Sequence, residues 1–143
     1  MELRNILQGK SIYFDTNIFI YLLEGNTVLG PALETLRKLI SHEQIQVHSS
    51  QLVYTEILAH KKLAWDTAGI EHIITFIENF NIHNITQDIA VHAGIIRAET
   101  GMKSPDALHV ASAAKHHCEV FLTNDKDIRL PQGITQVFIS EYI

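Results

Sequence analysis

A single cysteine, Cys118, is all the thiol chemistry the chain has, which excludes an internal disulfide and a cysteine-built metal cage and fits a reducing compartment. Prolines and glycines are also scarce, three and seven, and nowhere gather into a linker. No repeat or low-complexity tract divides the sequence, so residues 1–143 read as one domain, with 46% hydrophobic residues to build its core. No apolar run approaches the roughly 20 residues that cross a bilayer, and the opening MELRNILQGK is too polar for a secretory leader. These absences point to a cytoplasmic protein with no membrane partner. Positive charge is the last shortage: 11 Lys and Arg face 16 Asp and Glu, a net charge of −5. Such a balance counts against a protein that simply coats nucleic acid through a basic surface. The objection weakens if several acids share one site and a divalent ion neutralises them. The nine histidines come with neither HExxH nor C-x-x-C, which disfavours a zinc centre.

What is present is an alternation of two kinds of apolar segment. Short strand-like runs occur at Ser11–Phe14, Ile45–His48, Ile82–Ile85, Val120–Thr123 and Val137–Ile139. Longer stretches with helical periodicity lie near 17–24, 29–42, 51–64, 68–80, 87–100 and 105–117. Strands alternating with helices demand right-handed crossovers, so the expected fold is a three-layer α/β/α domain around a short, mainly parallel sheet. Ligands of such sheets bind beyond the carboxyl ends of the strands, where the strand order reverses. Asp15 directly follows SIYF, and Asp125 follows VFLT by one residue, so both fall at strand ends.

Each candidate acid also has a plainer reading. Asp15 opens D-T-N before an apolar helical run and could simply cap it, or could be a metal ligand whose oxygens Asn17 orients. On a helical wheel of 51–64, Glu56 shares a stripe with Leu52, Val53, Ala59 and Leu63, where an ionised carboxylate needs metal or a partner, and His60 is the partner nearest in sequence. Asp106 sits in K-S-P-D-A-L-H, with Ser104 as N-cap and Pro105 as first helical residue. The helix dipole would favour a charge there regardless of function. Asp125 and Asp127 lie in T-N-D-K-D, which alone reads as an exposed turn, although Thr123 would bring a hydroxyl to the same strand end.

The blocks Y-F-D-T-N-I-F-I-Y-L-L-E, T-E-I-L, S-P-D-A-L-H-V-A-S-A and F-L-T-N-D-K-D-I, in that order, resemble the PIN-domain family, in particular its small VapC-type toxins. The resemblance implies a Mg²⁺- or Mn²⁺-dependent endoribonuclease with an acidic quartet at Asp15, Glu56, Asp106 and Asp125. It also implies an accessory acid at Asp127 and a basic residue, Lys103, near substrate phosphate. As partners it implies an RNA substrate, a separate antitoxin protein and a second copy of the chain in a homodimer. The chemistry suits the residues: hard divalent ions prefer oxygen donors, lower the pKa of bound water and stabilise charge on a phosphoryl group. Clustered acids should repel one another without metal, so neutralising one, with Asp15 the first choice, should stabilise the metal-free chain.

Three other functions compete. A housekeeping RNA-processing nuclease would use the same site. A phosphotransfer domain needs D-x-D or an adjacent acidic pair, and Asp15-Thr16-Asn17 supplies neither. A non-catalytic interaction module would have little reason to keep a carboxylate such as Glu56 on an apolar face.

Overall fold

The computed structural model describes residues 2–63 and 65–142. Its sheet consists of β1 (Ser11–Phe14), β2 (Gln46–Ser50), β3 (Asn81–His83), β4 (Val120–Thr123) and β5 (Thr135–Phe138), ordered β3-β2-β1-β4-β5. Every pairing is parallel. The chain steps outward from β1 to β2 and β3, then crosses back to β4 on the other side of β1. The order therefore reverses between β1 and β4, which opens a crevice at their carboxyl ends.

Period-two alternation assigns the strand residues to faces. Ile12, Phe14, Val120 and Leu122 pack on one face with α1 (Leu3–Leu7), α2 (Thr16–Glu24), α3 (Gly30–Ser41), α4 (Leu52–Ile57) and α5 (Thr67–Glu78). Tyr13 and Phe121 point to the other, stacked at 5.2 Å between centroids, where α6 (Gln87–Thr100) and α7 (Ser104–Lys115) cover them. Helices on both faces of a parallel sheet make the three-layer architecture that the alternation predicts.

Small residues let α7 lie close: Ala107, Ala111, Ser112 and Ala113 are all buried along it. Ser49 is equally buried, and its hydroxyl donates to the Phe14 carbonyl at 2.8 Å, tying β2 to the end of β1.

Four departures from the sequence reading concern the sheet and the helices on its first face. Leu3–Leu7 is helical, its two leucines buried in the core, inside a stretch that reads as polar. Pairing carries β2 on to Ser50 and starts β3 at Asn81, because β3 takes its register from β2 rather than from its own apolar run. Chain past Phe138 leaves the sheet for a 3₁₀ turn, Ile139–Tyr142. The fourth departure matters most: α4 stops at Ile57, and residues 58–63 continue as successive turns.

Candidate active site

Asp15 ends β1 and begins α2. Its extended backbone (φ −65°, ψ 156°) makes it the N-cap of α2, and Oδ1 accepts the Thr16 N–H at 2.9 Å. The capping reading is therefore correct, yet it leaves the second oxygen to other work. Oδ2 accepts the Thr123 hydroxyl at 2.6 Å and the Asn17 amide at 3.4 Å. Thr123, at the end of β4, is fully buried and also accepts the Asp125 N–H at 2.9 Å. One hydroxyl thus fastens the ends of β1 and β4 to each other and to the turn that carries Asp125.

Asp125 in turn accepts the Asp127 N–H at 2.9 Å, so the T-N-D-K-D segment is a turn, as its composition indicates, with Asp127 exposed. Asp106 occupies the first turn of α7. Here the helix begins one residue earlier than the sequence indicates: Lys103 is the N-cap, with extended backbone and its carbonyl accepting from Ala107, and Ser104 is already helical. A cleft of about 260 Å³ brings Asp106, Asp125 and Asp127 together with Lys103 and Arg129. Sequence reasoning missed Arg129, because it lies in an irregular segment without periodicity or motif. A larger cavity of about 630 Å³ lies elsewhere, lined by Glu2, Arg4, Lys38 and His42, and holds none of these acids.

Glu56 is half-buried rather than fully on the core stripe, its side chain 32% exposed. Because α4 ends one residue later, Ala59 and Leu63 are not on its face, and His60 is exposed with no bond to it. The partner is His109 of α7, whose Nε2 stands 2.7 Å from Glu56 Oε1, while the Thr16 hydroxyl donates to the same oxygen at 2.8 Å. On the other side of the ring Nδ1 meets the Tyr13 hydroxyl at 2.7 Å, and Asp15 Oδ1 lies 3.9 Å from Nε2. His109 was legible only as a helical residue in S-P-D-A-L-H. One turn after Asp106 on the same helix was its sole positional signal.

Electrostatics reflect this gathering. Burial raises the Asp15 carboxyl above the ordinary value, against the opposing pull of His109, Thr123 and the Thr16 N–H. Asp106 is raised to about 6, first by burial and then by the charges of Asp125, Asp15 and Glu56. Glu56 is held low because His109 and Thr16 outweigh its burial. Burial alone would discharge His109, but Tyr13, Glu56 and Asp15 reverse that and raise it. Cys118 takes no part, since burial pushes its thiol to about 12.

Asp15, Glu56, Asp106 and Asp125 therefore lie in one electrostatic neighbourhood at the carboxyl pole of β1 and β4. Among the described residues, however, no three acidic, imidazole or thiol groups stand close enough to hold an ion between them as they lie. Two observations fit a hard cation all the same. The donors are all oxygens, and Asn17 Oδ1, beside Asp15, is a buried acceptor that no donor satisfies. Among the described residues no helix is long and apolar enough to cross a membrane.

The chain is similar to several solved structures. A toxin–antitoxin complex from Klebsiella pneumoniae matches with TM-score 0.65 and 28% identity over 87% of this chain and 95% of that one. VapBC from Salmonella typhimurium, bound to DNA, matches at 0.66 and 19% over 91% and 98%. VapBC2 from Rickettsia felis, bound to a fragment of its promoter, matches at 0.67 and 14% over 90% and 98%. No curated protein matches the chain significantly. The family model of the PIN domain matches residues 12–132, a span that includes every acid of the site, and the chain belongs to that family.

Proposed function

We propose that the chain is a divalent-metal-dependent endoribonuclease, the toxin of a toxin–antitoxin pair. The observation that carries the reading is the convergence of Asp15, Glu56, Asp106 and Asp125 on the β1–β4 crevice, with Asp106 raised to about 6 by burial and its carboxylate neighbours. Structures with an acidic cluster of this kind invite a cation. Asp15 and Asp106 are the assigned ligands of Mg²⁺ or Mn²⁺, with Glu56 and Asp125 completing the site directly or through bound water. When bound, the ion supplies an activated water and relief of negative charge on the phosphoryl group.

The chain's own residues do the rest. Thr123 and the Thr16 N–H fix the Asp15 carboxylate at the joined ends of β1 and β4. His109 and Thr16 hold Glu56 ionised and oriented through Oε1. Asn17 Oδ1 offers the free acceptor that can orient a water beside Asp15. Lys103 and Arg129 line the same cleft as Asp106 and suit a substrate phosphate, Arg129 in bidentate fashion.

RNA cleavage in Mg²⁺ or Mn²⁺ tests the reading. Wild type should cut, EDTA should abolish cutting, and Asp15→Ala or Asp106→Ala should reduce it by a hundredfold or more, on the order of 3 kcal/mol of transition-state stabilisation. Activity that ignores chelator and both substitutions overturns it. Toxin status rests on the likeness to toxin–antitoxin complexes. A short protein that co-purifies and inhibits cleavage supports it, whereas its absence from the native complex favours the housekeeping RNA-processing alternative. A homodimer belongs to the same reading and is checked by sedimentation.

A further inference from the structure

The chain contains one tryptophan, and it is on the outside: Trp65 is 80% exposed, whereas Tyr13, Phe14, Phe19 and Phe121 are fully buried. An indole left in water offers an aromatic face free for contact, and binding residues concentrate on loops held by a rigid scaffold. Its neighbours add charge. Lys61 and Lys62 are both exposed in the same loop, and none of the ion pairs among the described residues involves either one. The other adjacent basic pair, Arg37 and Lys38, is less free, since the Arg37 guanidinium donates to the Leu22 carbonyl at 2.9 Å. Asp66, which closes the loop, is engaged as the N-cap of α5 through the Gly69 N–H at 2.7 Å.

The topology says where this loop stands. It begins where α4 ends, two residues after Glu56, and α4 packs beside α2, whose start is formed by Asp15 and Thr16. Since β3 runs parallel to β2, the chain between them must travel from the carboxyl end of one to the amino end of the other. The 12 residues of α5 span about 18 Å. That is enough to cross the sheet alone, because its strands have three to five residues. Residues 58–63, 65 and 66 are therefore left at the carboxyl pole, on the Glu56 side of the acids and opposite the cleft of Lys103 and Arg129.

We infer that Lys61, Lys62 and Trp65 form a binding arm for single-stranded RNA, with the Trp65 indole stacking on a base and the two lysines meeting the flanking phosphates. It rests on the ribonuclease reading above and deepens it by naming how a strand reaches an acidic protein: cations lie at the two ends of the acid cluster rather than around it. Single-stranded segments are the form of RNA that offers an unstacked base to an aromatic ring.

Because Trp65 is the sole tryptophan, its emission reports on the arm directly. The Asp106→Asn chain titrated with a short single-stranded RNA should show quenching of that emission. With labelled RNA followed by anisotropy, Trp65→Ala should weaken binding roughly 5- to 150-fold, the worth of one stacked base. Trp65→Phe should recover most of it. Replacing both Lys61 and Lys62 with Ala should lower the slope of log affinity against log salt by about 1.4, or about 0.7 for each lost phosphate contact. In the active chain Trp65→Ala should raise KM and leave kcat nearly unchanged. Thermal melts should not move, because an exposed side chain contributes little to folding. Emission indifferent to RNA, or Ala and wild-type chains of equal affinity, overturns the proposal. Emission that responds only to a co-purifying protein does the same and reassigns the loop to protein docking. Cleavage with unchanged KM in Trp65→Ala removes the arm and leaves the nuclease. Binding that depends on Trp65 without metal-dependent cleavage leaves the arm and removes the nuclease.

Discussion

His109 and Glu56, 53 positions apart, meet at 2.7 Å, and the imidazole that makes this contact is entirely out of water. Breaking the contact from the buried side takes the imidazole from the Tyr13 hydroxyl and leaves Glu56 with the Thr16 hydroxyl alone. We expect His109→Ala to cost about 3 kcal/mol or more in urea unfolding, and Glu56→Gln, which keeps the shape and half-exposed position, about 1–3 kcal/mol. Their effects should be strongly non-additive in a double-mutant cycle. Additive losses would mean that the two residues do not act as a pair.

The pH dependence of that pair has a definite sign. His109 is raised above its ordinary 6.5 in the fold, so its stabilising charge is fully present below about 6.5 and is lost as pH rises through the folded value. Proton-detected resonances of the ring should remain those of imidazolium at pH 7 in wild type. In Glu56→Gln they should move toward the neutral form.

Asp106 shifts stability in the same direction with pH, although here it is the neutral form that the fold favours. Its folded value, about 6, exceeds 3.8, so the stability it contributes is complete below about 3.8 and disappears as pH climbs through 6. In EDTA, Asp106→Asn should melt higher than wild type at pH 8, and the gap should close toward pH 4. The structure moves this substitution away from Asp15, the first choice from sequence. In Asp15→Asn the new amide nitrogen would have to replace an oxygen that accepts from Thr123 or from the Thr16 N–H.

Millimolar Mn²⁺ should raise the melting temperature of the wild-type chain, since a ligand of the native state alone adds about 2.7 kcal/mol at a hundred times its Kd. Asp106→Ala should abolish most of the gain. A melting curve indifferent to Mn²⁺ and to the substitution would remove the metal from the proposed chemistry.

Three other histidines give a separate acid response. His48 Nδ1 and His83 Nε2 meet at 2.8 Å, and the His83 and His116 rings stack at 3.5 Å between centroids. Burial lowers all three; the charge of His116 adds to it at His48 and, together with His48, at His83, which falls to about 4, while Lys115 and His117 lower His116 further and Asp88 opposes them. Groups lowered in the fold contribute stability above about 6.5 and lose it as pH falls toward 4. His83→Gln should flatten the loss of stability between those limits, read from urea midpoints. An unchanged slope would place the acid sensitivity elsewhere.

The strand–helix alternation was legible because each segment's periodicity is local, and α6 matches its expected bounds of 87–100. Asp15 and Asp125 were placeable at strand ends for the same reason. Glu56 was harder: the wheel that put it on a buried stripe assumed a helix to residue 64, and the backbone turns off after Ile57. Its true partner, His109, comes from the far face of the sheet, and no pattern in one segment reports a contact that only the packing of α7 creates. Arg129 and the exposure of Trp65 were invisible for a like reason, because irregular segments carry no repeat from which a side chain's direction can be read.

The bond from Thr123 to Asp15 spans 108 positions and joins the first strand of the sheet to the fourth. A chain emerging from the ribosome has its first strand early and must wait for Val120–Thr123 before that strand gains its second neighbour. Until then the acids have no common wall to meet on. For the ribonuclease proposed above, the fourth strand is thus a safety catch, since no growing chain can complete the acidic pole before that strand is made.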